Sequence, residues 1–241
     1  MTHHNNKKAP KGTLIAIGGA EDRENNKEVL SLVLKKAPGK RVHLVTTATK
    51  IPNEVRSVYE KAFYDLGAQS VTTSHIDDRK LANSEDHVKA IENADIVFIT
   101  GGDQMRLTHY LGGTAFKNAL HAHYWAGGMI AGTSAGAAAM SKIMINGGQA
   151  EKALVNAEIR VSPGLGFKDH VIFDTHVSQR NRLGRLFPIA AMNPEILGIY
   201  LDEDTGIVLR GDETEFEVIG SGSVSVVDAT HGSSDITDTS K

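Results

Sequence analysis

Three short apolar runs that stop abruptly on glycine constrain this chain more than any other feature. Thr13-Leu14-Ile15-Ala16-Ile17 runs into Gly18-Gly19, Ile96-Val97-Phe98-Ile99 into Thr100-Gly101-Gly102, and Met129-Ile130-Ala131 into Gly132. Such runs, without polar alternation, mark strands buried on both faces. Between them the period changes. Val29, Leu30, Val33 and Leu34 recur at helical spacing before Pro38-Gly39, and Val55, Val58, Tyr59, Ala62, Phe63 and Leu66 form a helical stripe. Further strands are expected at 41–46 and 70–75, with helices at 84–93, 104–111 and 115–125. This alternation predicts an α/β fold with a doubly wound, mostly parallel sheet. Ligands of such sheets bind beyond the carboxyl ends of the strands, where the glycine turns would lie.

The second half is less regular. Strands are expected at 167–176, 197–202 and 206–209 and a helix at 181–192. Segments 216–219 and 224–227 suggest a small antiparallel C-terminal addition. The chain has 241 residues, 40% of them hydrophobic, enough for one large core. The expected organisation is a polar leader at 1–11, a single α/β domain at 12–230 and a polar tail at 231–241. A net charge of −3 excludes any general attraction to nucleic acid or anionic membrane. No apolar run approaches the roughly 18 residues of a spanning helix. The absence of cysteine excludes disulfides, thiolate metal sites and a cysteine nucleophile, and fits a cytoplasmic protein.

Gly132-Thr133-Ser134-Ala135-Gly136 reads as a strand turning sharply into a helix around one serine. Flanking glycines relieve the crowding of so tight a turn, and the helix start offers free N–H groups to an oxyanion. A serine nucleophile needs a base and an acid to orient it. His43, His75, His109, His121 and His123 compete as bases with His176, which ends the run Phe173-Asp174-Thr175-His176. Arg180, Arg182 and Arg185 follow it, with Leu183, Leu186, Phe187 and Ala190 as the buried face of their helix. They read either as a solvated basic flank or, beside a base, as a guanidinium comb for carboxylates. The acid falls within Asp202-Glu203-Asp204, and the sequence does not say which of the three faces inward. A nucleotide site is excluded, because the glycine turns lack both G-x-G-x-x-G spacing and a Walker lysine.

Five segments in this order resemble the cyanophycinases, serine peptidases related to the aspartyl dipeptidases. They are Thr13 to Asp22, Thr100-Gly101-Gly102-Asp103-Gln104, Gly132 to Gly136, Asp174 through Arg185, and Leu201-Asp202-Glu203-Asp204-Thr205. The resemblance implies a flavodoxin-like fold of the class I glutamine amidotransferase type. It implies that Ser134 is the nucleophile, His176 its base and Glu203 the orienting acid. Gly102, Asp103 and Ala135 would form the oxyanion hole, and Gln104, Asp174, Thr175, Arg180, Arg182 and Arg185 would line the substrate pocket. The implied substrate is cyanophycin, a poly-aspartate backbone carrying arginine on each β-carboxyl, cut to β-Asp-Arg through an acyl-enzyme. Asp174 would meet the substrate guanidinium. No cofactor or metal is implied, and the expected assembly is a homodimer. Thr175 departs from the family's usual glutamine, and the chain ends sooner than typical members. Action on short β-aspartyl peptides, as a dipeptidase, and a non-catalytic amidotransferase-like module are the competing readings.

Overall fold

A computed structural model describes residues 11–147, 159–176, 183–211 and 215–231. The expected leader and tail, and Arg180 and Arg182, lie wholly or almost wholly outside these residues. The first half alternates as its periodicity predicts. Strand β1 (Thr13–Ile17) leads to α1 (Glu28–Lys36), β2 (Arg41–Val45), α2 (Pro52–Asp65) and β3 (Ser70–Ser74). Then come α3 (Glu85–Glu92), β4 (Ile96–Ile99), α4 (Gln104–Leu111), α5 (Ala115–Ala126), β5 (Met129–Thr133) and the short α6 (Ala135–Ala138). Asp103 caps α4 through Met105 N–H, and Thr114 caps α5 through Lys117 N–H. After these follow β6 (Ile143–Gly147), β7 (Arg160–Pro163), β8 (Val171–Thr175), α7 (Leu186–Met192), β9 (Leu197–Leu201), β10 (Thr205–Arg210), β11 (Phe216–Gly220) and β12 (Val224–Val227).

Seven strands form the central sheet in the order β11-β10-β1-β5-β4-β2-β3. The five neighbours β1, β5, β4, β2 and β3 run parallel, while β10 and β11 are antiparallel. Alternate residues of each inner strand enter different cores. Leu14, Ala16, Val97, Ile99 and Ile130 pack on one face with Leu107, Phe116 and Leu120. Ile15, Ile17, Ile96, Phe98 and Ala131 pack on the other with Val29, Val33, Tyr59 and Phe63. Burial on both faces explains why these strands lack polar alternation. Because β1, β5 and β4 are neighbours, their glycine turns converge at one edge.

Three features differ from the sequence expectation. The antiparallel C-terminal addition is divided: β11 extends the central sheet, whereas β12 pairs with β9 in a separate three-stranded sheet, β12-β9-β8. The strand bearing His176 therefore lies outside the main sheet. A hairpin of β6 and β7 was not expected at all. Finally, Phe187 is 51% exposed, while Leu186, Ile189 and Ala190 are buried. A 3₁₀ turn over Leu183–Arg185 precedes α7, and its tighter winding shifts the phase of the apolar face. Among the described residues no helix is long and apolar enough to cross a membrane.

One buried polar cluster makes stability depend on pH. His43 on β2 pairs with Thr72 Oγ1 at 2.8 Å and Ser74 Oγ at 2.9 Å, and Ser74 Oγ meets His87 Nδ1 at 2.8 Å. Burial, and secondarily the charge of His87, pulls the His43 pKa down to about 4. The unfolded chain takes up this proton near the ordinary histidine value of about 6.5, so stability falls as pH drops from there and the loss is complete below about 4. The full effect is about 3 kcal/mol. Urea midpoints of His43→Gln are expected to decline less steeply than those of the parent between pH 7 and 4.5. Equal slopes would contradict the assignment.

Candidate active site

Ser134 sits at the end of β5 with φ 52° and ψ −113°, a strained turn for a residue with a side chain. Two close approaches force its glycine neighbours. A Cβ on Gly132 would lie 2.7 Å from the Gly136 backbone, and one on Gly136 would lie 2.3 Å from the Ile99 carbonyl of β4. The elbow therefore folds only with glycine on both sides. Ser134 N–H donates to Ile17 O of β1 at 2.9 Å, which ties the turn to the neighbouring strand.

His176 follows β8 in a left-handed conformation, φ 55°, with its N–H donated to Gly18 O at 3.2 Å. Its ring lies against Gly19, where a Cβ would come within 2.3 Å of the imidazole. Nε2 is 2.8 Å from Ser134 Oγ, and Nδ1 is 2.6 Å from Glu203 Oε1. A carboxylate only accepts, so Nδ1 carries the proton and Nε2 is left to accept from the Ser134 hydroxyl. The arrangement can move a proton from serine to imidazole while the acid steadies the resulting cation.

Glu203 is singled out by its neighbours. Asp204 turns back with φ 50°, donates its N–H to Gly19 O, and accepts from Asp22 N–H and Ser221 Oγ. Asp202 Oδ2 accepts from Ser223 N–H at 3.3 Å. Both flanking acids hold loop backbone, which leaves the middle one directed at the imidazole.

The loop after β4 supplies the facing wall. Gly102 has φ 142°, and a Cβ there would lie 2.3 Å from Ala48 O. The same close approach delivers Asp103 N–H to Ala48 O at 2.9 Å. That bond corrects the expected oxyanion hole, since the Asp103 amide proton already has an acceptor. The N–H groups of Gly102 and Ala135 have no acceptor among the described residues.

Two further expectations change. Asp174 does not offer its carboxylate to a ligand: Arg185 Nε meets Oδ2 at 3.0 Å and Nη2 meets Oδ1 at 2.8 Å. Both side chains are buried, so Arg185 belongs neither to a solvated flank nor to an open comb. The reason is the dielectric of the interior, where an unpaired guanidinium or carboxylate is costly and a bidentate pair satisfies both. Beneath them, burial pushes the Tyr200 hydroxyl up to about 12, and that hydroxyl accepts from Leu186 N–H.

The resulting cleft has a volume of about 200 Å³. It is lined by Gly102, Asp103, Gln104, Ser134, Ala135, Thr175, His176 and Arg185, all expected from the sequence. Met105, Ile145 and Asn146 also line it and were not expected. The last two belong to the missed β6–β7 hairpin, which Gln104 Nε2 anchors through Ile145 O at 2.7 Å. Thr175 is buried, with its N–H donated to Asp174 Oδ1. Among the described residues no three His, Asp or Glu side chains are grouped to hold a metal ion.

Comparison with known proteins gives the family. The model of peptidase family S51 matches residues 14–216. The cyanophycinase of Synechococcus elongatus is 34% identical over 221 residues, 90% of this chain and 68% of the relative. That of a Nostoc species is 35% identical over 225 residues, 92% of this chain and 75% of the relative. A crystal structure of a peptidase from an acI-B1 actinobacterium superposes with a TM-score of 0.74 over 91% of each chain, and its 20% identity shows the shared fold alone. The chain belongs to peptidase family S51 and is a serine-type peptidase.

Proposed function

We propose that this peptidase is a cyanophycinase, hydrolysing multi-L-arginyl-poly-L-aspartate from a chain end to β-Asp-Arg. The observation that carries the reading is the continuous proton path from Ser134 Oγ through His176 to Glu203, at 2.8 and 2.6 Å. Two relatives named cyanophycinase, each more than a third identical over nine-tenths of the chain, direct it to this polymer.

Ser134 Oγ attacks the backbone carbonyl as its proton passes to His176 Nε2. The tetrahedral oxyanion forms against Gly102 and Ala135 N–H, donors already oriented and without competing acceptors. His176 then protonates the departing amine, and the acyl-enzyme remains on Ser134. Water, deprotonated by the same imidazole, adds to the acyl carbon and expels Ser134 Oγ, which takes back its proton as the acyl product leaves. Nucleophile, base and acid all come from side chains, so the proposed reaction uses no cofactor. The remaining proposals are a homodimeric assembly and a cytoplasmic location.

Arg180 and Arg182 receive the carboxylates of the chain end. With Asp174 held by Arg185, the substrate guanidinium falls instead to Asp103. This carboxylate lines the cleft and has no cationic partner among the described residues. Asp103→Asn retains a capping side chain for α4. It is expected to lower the preference for a β-Asp-Arg substrate over its β-Asp-citrulline isostere about tenfold, the order of one charge-assisted hydrogen bond. An unchanged ratio would remove Asp103 from recognition.

The polymer reading is tested by adding purified protein to cyanophycin granules and following turbidity, with products identified by mass spectrometry. Clearing with release of β-Asp-Arg is expected. Intact granules together with cleavage of free β-Asp-Arg would make the protein a dipeptidase.

A further inference from the structure

The loop after β1 holds an acid that the mechanism above does not use. Glu21 is only 2% exposed. One carboxylate oxygen accepts from Tyr59 Oη on α2, and the other accepts from Thr133 Oγ1 at 2.5 Å. Among the described residues, Glu21 forms no salt bridge. An acid buried with only hydroxyl donors is costly to keep in place. Thr133 is the residue immediately before Ser134.

We propose that Glu21 is a positioning residue: it holds Thr133 and thereby fixes the strained Ser134 elbow against the imidazole. The proposal rests on Ser134 being the nucleophile. Strain of this kind persists only where surrounding contacts over-determine it. Two anchors bracket the elbow. Ile17 O takes Ser134 N–H from one side, and Glu21 takes the Thr133 hydroxyl from the other. Tyr59 braces Glu21 in turn from a helix packed on the sheet. Burial and the adjacent carboxylate push the Tyr59 hydroxyl pKa well above its ordinary value, so it stays a donor.

The same loop touches the rest of the triad. Gly18 O receives His176 N–H, Gly19 O receives Asp204 N–H beside Glu203, and the His176 ring rests on Gly19. Residues 17–21 therefore set the register of serine, histidine and acid together, and among the described residues Glu21 supplies their one side-chain link on the serine side. Glu21 makes no contact with the reacting atoms, so its effect appears in how often Ser134 Oγ stands in attacking geometry.

The test compares the parent with Thr133→Val, Glu21→Ala and Glu21→Gln. Each is assayed for kcat and KM on the granules and for the rate at which a fluorophosphonate forms an Oγ–P bond at Ser134 with loss of fluoride. Ellipticity in the near ultraviolet gives the folded fraction. Thr133→Val and Glu21→Ala are expected to slow both phosphonylation and kcat by about 10- to 100-fold per folded molecule, with KM within about threefold, as for small misplacement of a reacting group. Glu21→Gln, whose amide can accept from one hydroxyl and donate to the other, should return to within about fivefold of the parent. A positioning role is overturned if Thr133→Val and Glu21→Gln, folded, react at the parent rate and at the Glu21→Ala rate respectively. It is overturned equally if all variants differ from the parent only in melting temperature. Failure of the parent itself to form the Ser134 adduct would instead sink the nucleophile assignment.

Discussion

Replacing Ser134 by alanine is expected to lower kcat by about 10⁴-fold or more, with the fold intact. A loss of that size corresponds to about 5.5 kcal/mol of barrier. The structure explains why stability should not follow activity. The hydroxyl has one described partner, His176 Nε2, and the backbone contacts that shape the elbow all survive the change. Alanine meets the same strain as serine at φ 52°, so the turn is no less favourable than before. What remains after the substitution is the oxyanion donors and the substrate contacts, which on their own sustain a small residual rate. The check is a single-turnover assay on granules beside a thermal melt of both proteins. A rate within tenfold of the parent would take Ser134 out of the chemistry.

Much of the scaffold was legible because its strongest constraint is local. Strands β1, β4 and β5 are buried on both faces, and that condition writes an unbroken apolar run. The elbow was legible for a related reason. Gly132 and Gly136 are dictated by backbone contacts within the motif and with the adjacent strand.

What escaped the sequence is pairing between distant segments. The runs of β8 and β9 look like central strands, and only their partners place them in a separate sheet. Strand β7 is mostly exposed, with serine and proline among its four residues, so the hairpin that brings Ile145 and Asn146 to the cleft left almost no periodic trace. Arg185 and Asp174 are eleven residues apart, and charge spacing alone does not distinguish a guanidinium aimed at solvent from one locked to an internal acid. Glu21 gave no warning either, being one polar residue after an apolar strand. The Asp103 amide was misassigned because sequence motifs identify which residues sit in a loop, not where each N–H points.

The choice among three adjacent acids gives the second large effect. Glu203→Gln is expected to lower kcat by about 10³- to 10⁴-fold, whereas Asp202→Asn and Asp204→Asn should each change it less than tenfold. The difference lies in what each carboxyl holds. Glu203 Oε1 accepts from His176 Nδ1 at 2.6 Å and so keeps the bare nitrogen, Nε2, facing Ser134. Glutamine can present its amide N–H to Nδ1 instead. The imidazole then carries its proton on Nε2, the tautomer that cannot accept from the serine hydroxyl. Geometry would be nearly unchanged and the base absent. Asp202 and Asp204 contact Ser223 N–H, Asp22 N–H and Ser221, all outside the proton path, so neutralising either should cost about 1 kcal/mol of stability at most. Adding Ser221→Ala supplies a control, because it removes the hydroxyl that Asp204 Oδ2 accepts from without touching the acid. Should Asp202→Asn or Asp204→Asn abolish turnover while Glu203→Gln keeps it, the acid has been assigned to the wrong carboxylate and the proton path drawn here does not carry the reaction.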